Sequence, residues 1–253
     1  MDLGLGGTVA VVTGGVRGVG AGISRVLVAC GATVVACARH PPDVPLDGVA
    51  FYECDVRDEA QVGAMTATLA DRHGRLDLLV NNAGGAPPSD AATGSSRLHA
   101  KIVELNLLAP LLVAQAANAV MQAQPDGGAV VMVSSVSGHR PSPGTAAYGA
   151  AKAGLDNLVA TLAVEWAPKV RVNSVVAGMV RTEQAHLHYG DPASQAAVGA
   201  TVPLGRLAEP EEIGRCVAFL ASPLASYVSG ATLLAHGGGD VPAFLAAAAP
   251  TKR

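Results

Sequence analysis

Tyr148 and Lys152, in the run Tyr148-Gly149-Ala150-Ala151-Lys152, are two residues whose types and spacing could do proton chemistry. On a helix, residues four apart share one face, with Cβ atoms about 5–6 Å apart, so a phenol and an ammonium can look into one cleft. A phenol with a pKa near 10 is a poor proton carrier at neutral pH, and a fixed cation beside it stabilises the phenolate and brings it toward the working range. Taken alone, such a pair is ordinarily a surface contact contributing a few tenths of a kcal/mol. Its setting decides which it is. Ser134-Ser135-Val136-Ser137 lies a short loop upstream.

The elements that must position these groups read as alternating strands and helices. Val9 to Val12 is a short β-branched run leading into Thr13-Gly14-Gly15-Val16-Arg17-Gly18-Val19-Gly20, and an apolar helical pattern follows through Ile23, Val26 and Leu27. Strand, glycine-rich turn and helix is the arrangement in which backbone N–H groups and a helix N-terminus receive a diphosphate, although this spacing differs from the usual G-x-G-x-x-G fingerprint. The second strand, Thr33 to Ala38, ends at Arg39 where an NAD-selective site carries an acidic residue for the ribose 2′-OH. An arginine suits a 2′-phosphate, so with Arg17 nearby NADP(H) is favoured and NAD(H) stays open.

Further strands are expected at Val49–Cys54, ending at Asp55-Val56, and at Leu76–Val80, followed by Asn81-Asn82-Ala83-Gly84-Gly85. Small residues and amides at a strand's carboxyl end suit a ligand crevice in an open α/β sheet. A long apolar helix from about Arg97 to Gln122 carries Asn106, a buried amide that must act as a clamp or in a polar site, and Pro110 is expected to kink it. Asp58 is expected to cap a helix running to about His73. The nearly all-apolar run Gly128–Val133 reads as a central parallel strand that puts Ser134 and Ser135 at its carboxyl end. Strands at 170–176 and 231–235 complete about seven. Residues 183–203 have weak periodicity and read as a substrate lid. His139, Arg140, Met179, His186, His188 and Tyr189 are pocket candidates, and the tail 241–253 is alanine-rich. The alternation predicts one α/β domain over 1–253, a doubly wound parallel sheet flanked by helices.

Composition narrows the function classes. The net charge of −3 has no basic excess for a nucleic-acid backbone. Cys30, Cys37, Cys54 and Cys216 lack metal or disulfide spacing, so no metal site is expected. Met1 to Gly4 shows no basic region followed by an apolar core, and a cytoplasmic location is expected. The apolar run Ile102–Met121 contains Glu104, Asn106 and Pro110, a pattern for a buried or interface helix and not a membrane span.

Taken together, Thr13-Gly14-x-x-x-Gly18-x-Gly20, Asn81-Asn82-Ala83-Gly84, Asn106, Ser135 and Tyr148-x-x-x-Lys152 resemble the short-chain dehydrogenase/reductase family. The segments Pro203-Leu204-Gly205-Arg206 and Phe219-Leu220-Ala221-Ser222 look like its ketoacyl-carrier-protein reductase-like members. The resemblance implies a Rossmann-type fold and reversible hydride transfer between a secondary alcohol and a ketone with NAD(P)(H). It implies that Tyr148 is the general acid or base, that Lys152 lowers its pKa and binds the nicotinamide ribose, and that Ser135 hydrogen-bonds the substrate oxygen. Asn106 would hold a water linking Lys152 to solvent. Gly14, Arg17, Gly18, Val19 and Gly20 would hold the diphosphate, Asp55 and Val56 the adenine, and Val180 and Thr182 the carboxamide beside Gly178. Asn82, Ala83 and Gly84 would line the crevice and bind the cofactor. The chain departs from the family at Ala177, where proline is usual, and at His236, where aspartate is common. A homo-oligomer, tetramer or dimer, would pack the apolar faces around 108–120 and 155–164. Two other readings compete: a nucleotide-binding sensor or scaffold without turnover, for which Tyr148 or Lys152 would be expected to be lost, and an epimerase or dehydratase relative, which is usually longer.

Overall fold

In a computed structural model, which describes residues 2–247, seven strands form one parallel sheet in the order β3-β2-β1-β4-β5-β6-β7. The strands are β1 (Val9–Thr13), β2 (Thr33–Ala38), β3 (Val49–Glu53), β4 (Leu78–Asn81), β5 (Gly128–Ser135), β6 (Val170–Ala177) and β7 (Thr232–Ala235). The helices are α1 (Gly18–Ala29), α2 (Glu59–His73), α3 (Ser96–Val103), α4 (Ala109–Ala123), α5 (Ala146–Glu165), α6 (His186–Tyr189), α7 (Pro192–Ala200), α8 (Pro210–Ala221) and α9 (Ala243–Ala247). This is the doubly wound Rossmann-type α/β fold that the alternation predicts.

The strands are apolar throughout because both faces of the sheet are covered. Along β5, Val130 and Met132 pack with Val62 and Met65 of α2, Val113 and Met121 of α4 and Leu155 and Val159 of α5. Ala129, Val131 and Val133 point the other way, into a second core with Ile23 and Leu27 of α1 and Ile213 and Val217 of α8. β1 pairs with β2 on one side and β4 on the other, so the winding reverses there and a crevice opens at their carboxyl ends. Ser135 closes β5 on the same edge of the sheet.

Local signals behave as their chemistry requires. Asp58 caps α2 by accepting from the Gln61 N–H at 3.1 Å, and Gly74 ends that helix in a left-handed conformation, φ 70°. The long helix expected over Arg97–Gln122 runs from Ser96 to Ala123, but its irregularity is not a kink at Pro110. It is a π-type turn over Glu104–Leu108, closed by Ala109 N–H donating to the Glu104 carbonyl. Pro110 has no N–H for the Asn106 carbonyl, and it sits in the first turn of the regular helix that follows, where that loss is tolerated. By length and composition this helix could cross a membrane, yet Val113, Ala114, Ala117 and Met121 are buried in the sheet's core.

Residues 183–203 hold two short helices, α6 and α7, the second capped by Asp191 accepting from Ser194 N–H at 2.8 Å. Of the expected interface faces, Leu155, Val159 and Leu162 are core residues, while Leu108 and Val164 are 54% and 80% exposed. The part of the tail beyond 247 lies outside the described residues.

Helices α1 and α8 approach so closely that a Cβ on Gly22 would lie 2.4 Å from the Pro210 Cβ. Gly22→Ala should therefore destabilise the protein by about 1–3 kcal/mol in urea unfolding, although alanine is worth up to about 1 kcal/mol over glycine in an open helix. A stabilised variant would show that the two helices do not pack this way.

Candidate active site

The crevice is built outward from Thr13 and Asn82. The Thr13 hydroxyl accepts from the backbone N–H groups of Asn82 and Ala83, both at 3.0 Å. The Asn82 amide in turn donates to the Thr13 and Gly14 carbonyls at 2.9 and 3.2 Å. Asn82 is thus a staple between the end of β4 and the glycine turn. Gly14 has φ +63° and Gly18 φ +52°, and a Cβ on Gly20 would lie 2.2 Å from the Gly14 carbonyl oxygen. That close approach brings the head of α1 onto the turn, with Val19 half-buried and Arg17 exposed.

The Gly18 N–H at this helix terminus donates to both carboxylate oxygens of Glu183, at 2.9 and 3.2 Å. An anion already sits where the backbone and the helix dipole favour one. Thr182 lies over Gly18, its Cγ2 3.5 Å from where a Cβ would stand. A cleft of about 450 Å³ opens here, lined by Arg17, Gly18, Arg25, Thr182, Glu183 and Glu211. Val180 is buried at 7% exposure, and a Cβ on Gly178 would lie 2.7 Å from the His236 Cα, so the substituted residue His236 packs directly on that turn. At the far end, Arg39 is exposed beyond β2. Asp55 is clamped by Arg57 at 2.6 Å, which holds its carboxyl below the usual range, with Arg39 adding a smaller pull. Val56 beside it is buried.

At the other end of the crevice, α5 carries Tyr148 and Lys152 to the end of β5. The Lys152 Nζ lies 5.7 Å from the centre of the Tyr148 ring and donates to the Val133 carbonyl at 2.8 Å. Lys152 is only 3% exposed, and desolvation lowers its pKa from 10.5 to about 8, with Asp156 opposing the fall. The expected lowering of the Tyr148 phenol is not what this protein has. Burial raises it above its ordinary value, and interaction with the Ser135 hydroxyl opposes the rise. A raised phenol stays protonated at neutral pH, the state needed to give a proton away. The Tyr189 phenol is also raised, by burial and then by Tyr148, while Arg140 lowers it.

Asn106 is completely buried. Its amide donates to the Gly85 and Ile102 carbonyls, both at 2.9 Å, and its Oδ1 accepts from the Gly85 N–H at 2.8 Å. Both donors are thereby engaged, and only Oδ1 keeps a free lone pair. A Cβ on Gly84 would lie 2.7 Å from that oxygen and 3.5 Å from the Lys152 Nζ, so only glycine lets the three meet. Among the remaining pocket candidates, Arg140 is paired with Asp240 at 2.6 Å, His139 with Asp156 at 2.9 Å, and His186 Nδ1 lies 3.1 Å from the Glu183 carbonyl. His188 is exposed, while Met179 lines a small recess with Val136 and His236. Glu183 and Asp156 are the polar residues that the motifs do not single out. Asp156 could have been found from its place four residues after Lys152.

The family description Enoyl-(Acyl carrier protein) reductase matches residues 14–239. An uncharacterised short-chain type dehydrogenase/reductase of Sinorhizobium fredii is 38% identical over 247 residues, covering 92% of this chain. The chain spans only 43% of that relative's length. The cis-4-hydroxycyclohexanecarboxylate dehydrogenase of Sinomonas cyclohexanicum is 38% identical over 246 residues, covering 91% of this chain and 95% of its own. The chain belongs to the short-chain dehydrogenase/reductase family. Ligand-free Thermoplasma acidophilum aldohexose dehydrogenase has the same fold, with a TM-score of 0.89 at 28% identity over 100% of this chain and 99% of that one. The family binds NAD(P), and this crevice fits such a group: its glycines leave no room for side chains, and its helix terminus already receives a carboxylate.

The depressed Lys152 pKa has a sign. Between about pH 8 and 10.5 the unfolded chain binds more protons than the folded one, so this residue makes stability rise with pH there and is a full liability below pH 8. Lys152→Met should therefore raise unfolding stability at pH 7 by about 1–3 kcal/mol, with the lost bond to Val133 subtracted. The gain should shrink as pH approaches 10. Equal or lower stability at pH 7 would show that the ammonium is not buried at a cost.

Proposed function

We propose that the protein is an NAD(P)(H)-dependent oxidoreductase interconverting a secondary alcohol and a ketone, with NADP(H) preferred. The observation that carries this reading is the meeting of Tyr148, Ser135 and the buried Lys152 at the carboxyl end of β5, in the same crevice as the anion-receiving head of α1. The bound nicotinamide supplies the hydride donor or acceptor.

The chain's own groups do the rest. In the direction of reduction, the Ser135 hydroxyl and the Tyr148 phenol hold the substrate oxygen, and Tyr148 Oη delivers a proton to it as the alkoxide develops. In oxidation the same phenol oxygen takes the proton back. Lys152 stabilises the phenolate left behind and holds the ribose hydroxyls. Asn106 keeps Gly84 and Gly85 against Lys152, and its free Oδ1 lone pair is the place for a water on the proton path. Gly18 gives the diphosphate a backbone donor once Glu183 is displaced from its N–H, while Gly14 and Gly20 serve the tight turn and the close approach of α1. Asp55 and Val56 face the adenine, and Gly178, Val180 and Thr182 the carboxamide.

Arg39 and Arg17 support the NADP(H) preference, because neither the second strand's end nor the glycine turn offers a carboxylate for a ribose 2′-OH. The substrate is best read as a small polar alcohol. Arg140 is neutralised by Asp240, so the pocket presents an ion pair and the Tyr189 phenol rather than a free cation. Hydroxycyclohexanecarboxylates, aldohexoses and ketoacyl thioesters form the panel to try first, with NADPH and NADH absorbance followed in both directions. Exposed Leu108 and Val164 support self-association, which sedimentation velocity would detect.

Tyr148→Phe should lower turnover about 10²–10⁴-fold while leaving NADPH affinity within a few-fold, by stopped assays and fluorescence titration. Retained turnover would remove Tyr148 from the chemistry. In the same titrations the unmutated protein should bind NADPH more tightly than NADH, and Arg39→Asp should reverse the order. Tighter NADH binding before mutation would overturn the assignment to Arg39.

A further inference from the structure

Asp156 lies one helical turn beyond Lys152 on α5, its side chain only 12% exposed. Its Oδ2 accepts from the Ser134 hydroxyl at 2.8 Å and from His139 Nε2 at 2.9 Å. Its Oδ1 accepts from the Ser174 hydroxyl at 2.8 Å. A carboxylate only accepts, which fixes the proton of His139 on Nε2 in this contact. Three separate pieces of the fold thus meet one side chain of α5. Ser134 is the neighbour of Ser135 on β5, His139 follows the short 3₁₀ turn Val136–Gly138, and Ser174 is mid-strand in β6.

The same carboxylate answers a second need. Lys152 is buried, its ammonium's bond is to a neutral carbonyl, and a buried charge without a counter-charge is costly. Asp156 is the charged group that acts on it. Among the described residues, the titratable groups facing this pair are His139 on Asp156 and Tyr148 on Lys152. The side-chain contacts from β5 and β6 are serines.

We propose that Asp156 is a positioning residue of this site: it ties the helix bearing Tyr148 and Lys152 to the end of β5 and the middle of β6, and its negative charge keeps the buried Lys152 an ammonium. Its consequence for turnover rests on the oxidoreductase reading. Its consequence for Lys152 does not.

Lysines are few in this chain, Lys101, Lys152, Lys169 and Lys252, so the Lys152 ¹³Cε resonance can be followed by NMR in nucleotide-free protein and assigned by its loss in Lys152→Met. In Asp156→Asn the titration midpoint of Lys152 should fall by about one pH unit. It should stay near the wild-type value in Ser174→Ala and His139→Gln, which remove partners but not the carboxylate. Asp156→Glu, which keeps the charge, should hold the midpoint close to wild type even if it lowers the melting temperature, and it decides the matter if the asparagine variant does not fold. In active protein, the alkaline limb of kcat/KM for ketone reduction should move down in Asp156→Asn by the same amount. An unmoved Lys152 midpoint in Asp156→Asn, or an equal fall in the glutamate or His139→Gln variants, would overturn the proposal. Absence of turnover in the wild type would instead defeat the oxidoreductase reading and leave the titration to judge Asp156.

Discussion

An ammonium group is held inside this protein's core, and the local structure around it is arranged to make that possible. Lys152 enters from α5, reaches past the end of β5 to the Val133 carbonyl, and leaves almost no surface to water. Water would be the cheaper partner, so a site that excludes it has to supply dipoles and a counter-charge in fixed positions. The π-type turn at Glu104–Leu108 is part of that supply. It brings the Asn106 amide to the loop after β4, and a residue larger than glycine at position 84 would separate the two. Asp156, one turn further along α5 on the same face, anchors that helix to two strands.

The glycine-turn half of the crevice is governed by a different constraint, close approach of backbone to backbone. Gly20 lets α1 start against the turn that Gly14 opens, and Gly22 lets α8 lie across α1. The Thr13 hydroxyl and the Asn82 amide then lock β1 to β4 where the winding reverses. The segment after β6 reaches back over this turn through Thr182 and Glu183. It therefore touches the glycine turn, while the Tyr189 phenol, a few residues on, is raised by burial and then by Tyr148. Through the Glu183 carboxylate this stretch already occupies the Gly18 N–H at the head of α1.

Much of this was legible in the residues. Apolar β-branched runs covered on both faces, alternating with helical periodicity, dictate a parallel sheet, and the Gly14-to-Gly20 turn marks where its crevice lies. The Asp58 cap and the helix end near His73 depend on neighbours in sequence, and both hold. What failed to show had partners far away in the chain. Asn82 reads as a crevice-lining amide and proves to be a staple, because its acceptors lie nearly seventy residues upstream. The irregularity expected at Pro110 falls one turn earlier, because the missing proline N–H is felt at the carbonyl of Asn106.

The sequence by itself determined the fold and the edge of the sheet on which the crevice lies, since these follow from periodicity and backbone freedom, and it offered Ser135, Tyr148 and Lys152 as candidates through a family resemblance. Only the tertiary structure decided the electrostatics: that the Tyr148 phenol is raised rather than lowered, that Arg140 is neutralised by Asp240, that Glu183 covers an anion site, and that Asp156 stands behind Lys152. Charge states depend on burial and on partners brought together from distant segments, and a linear pattern carries neither.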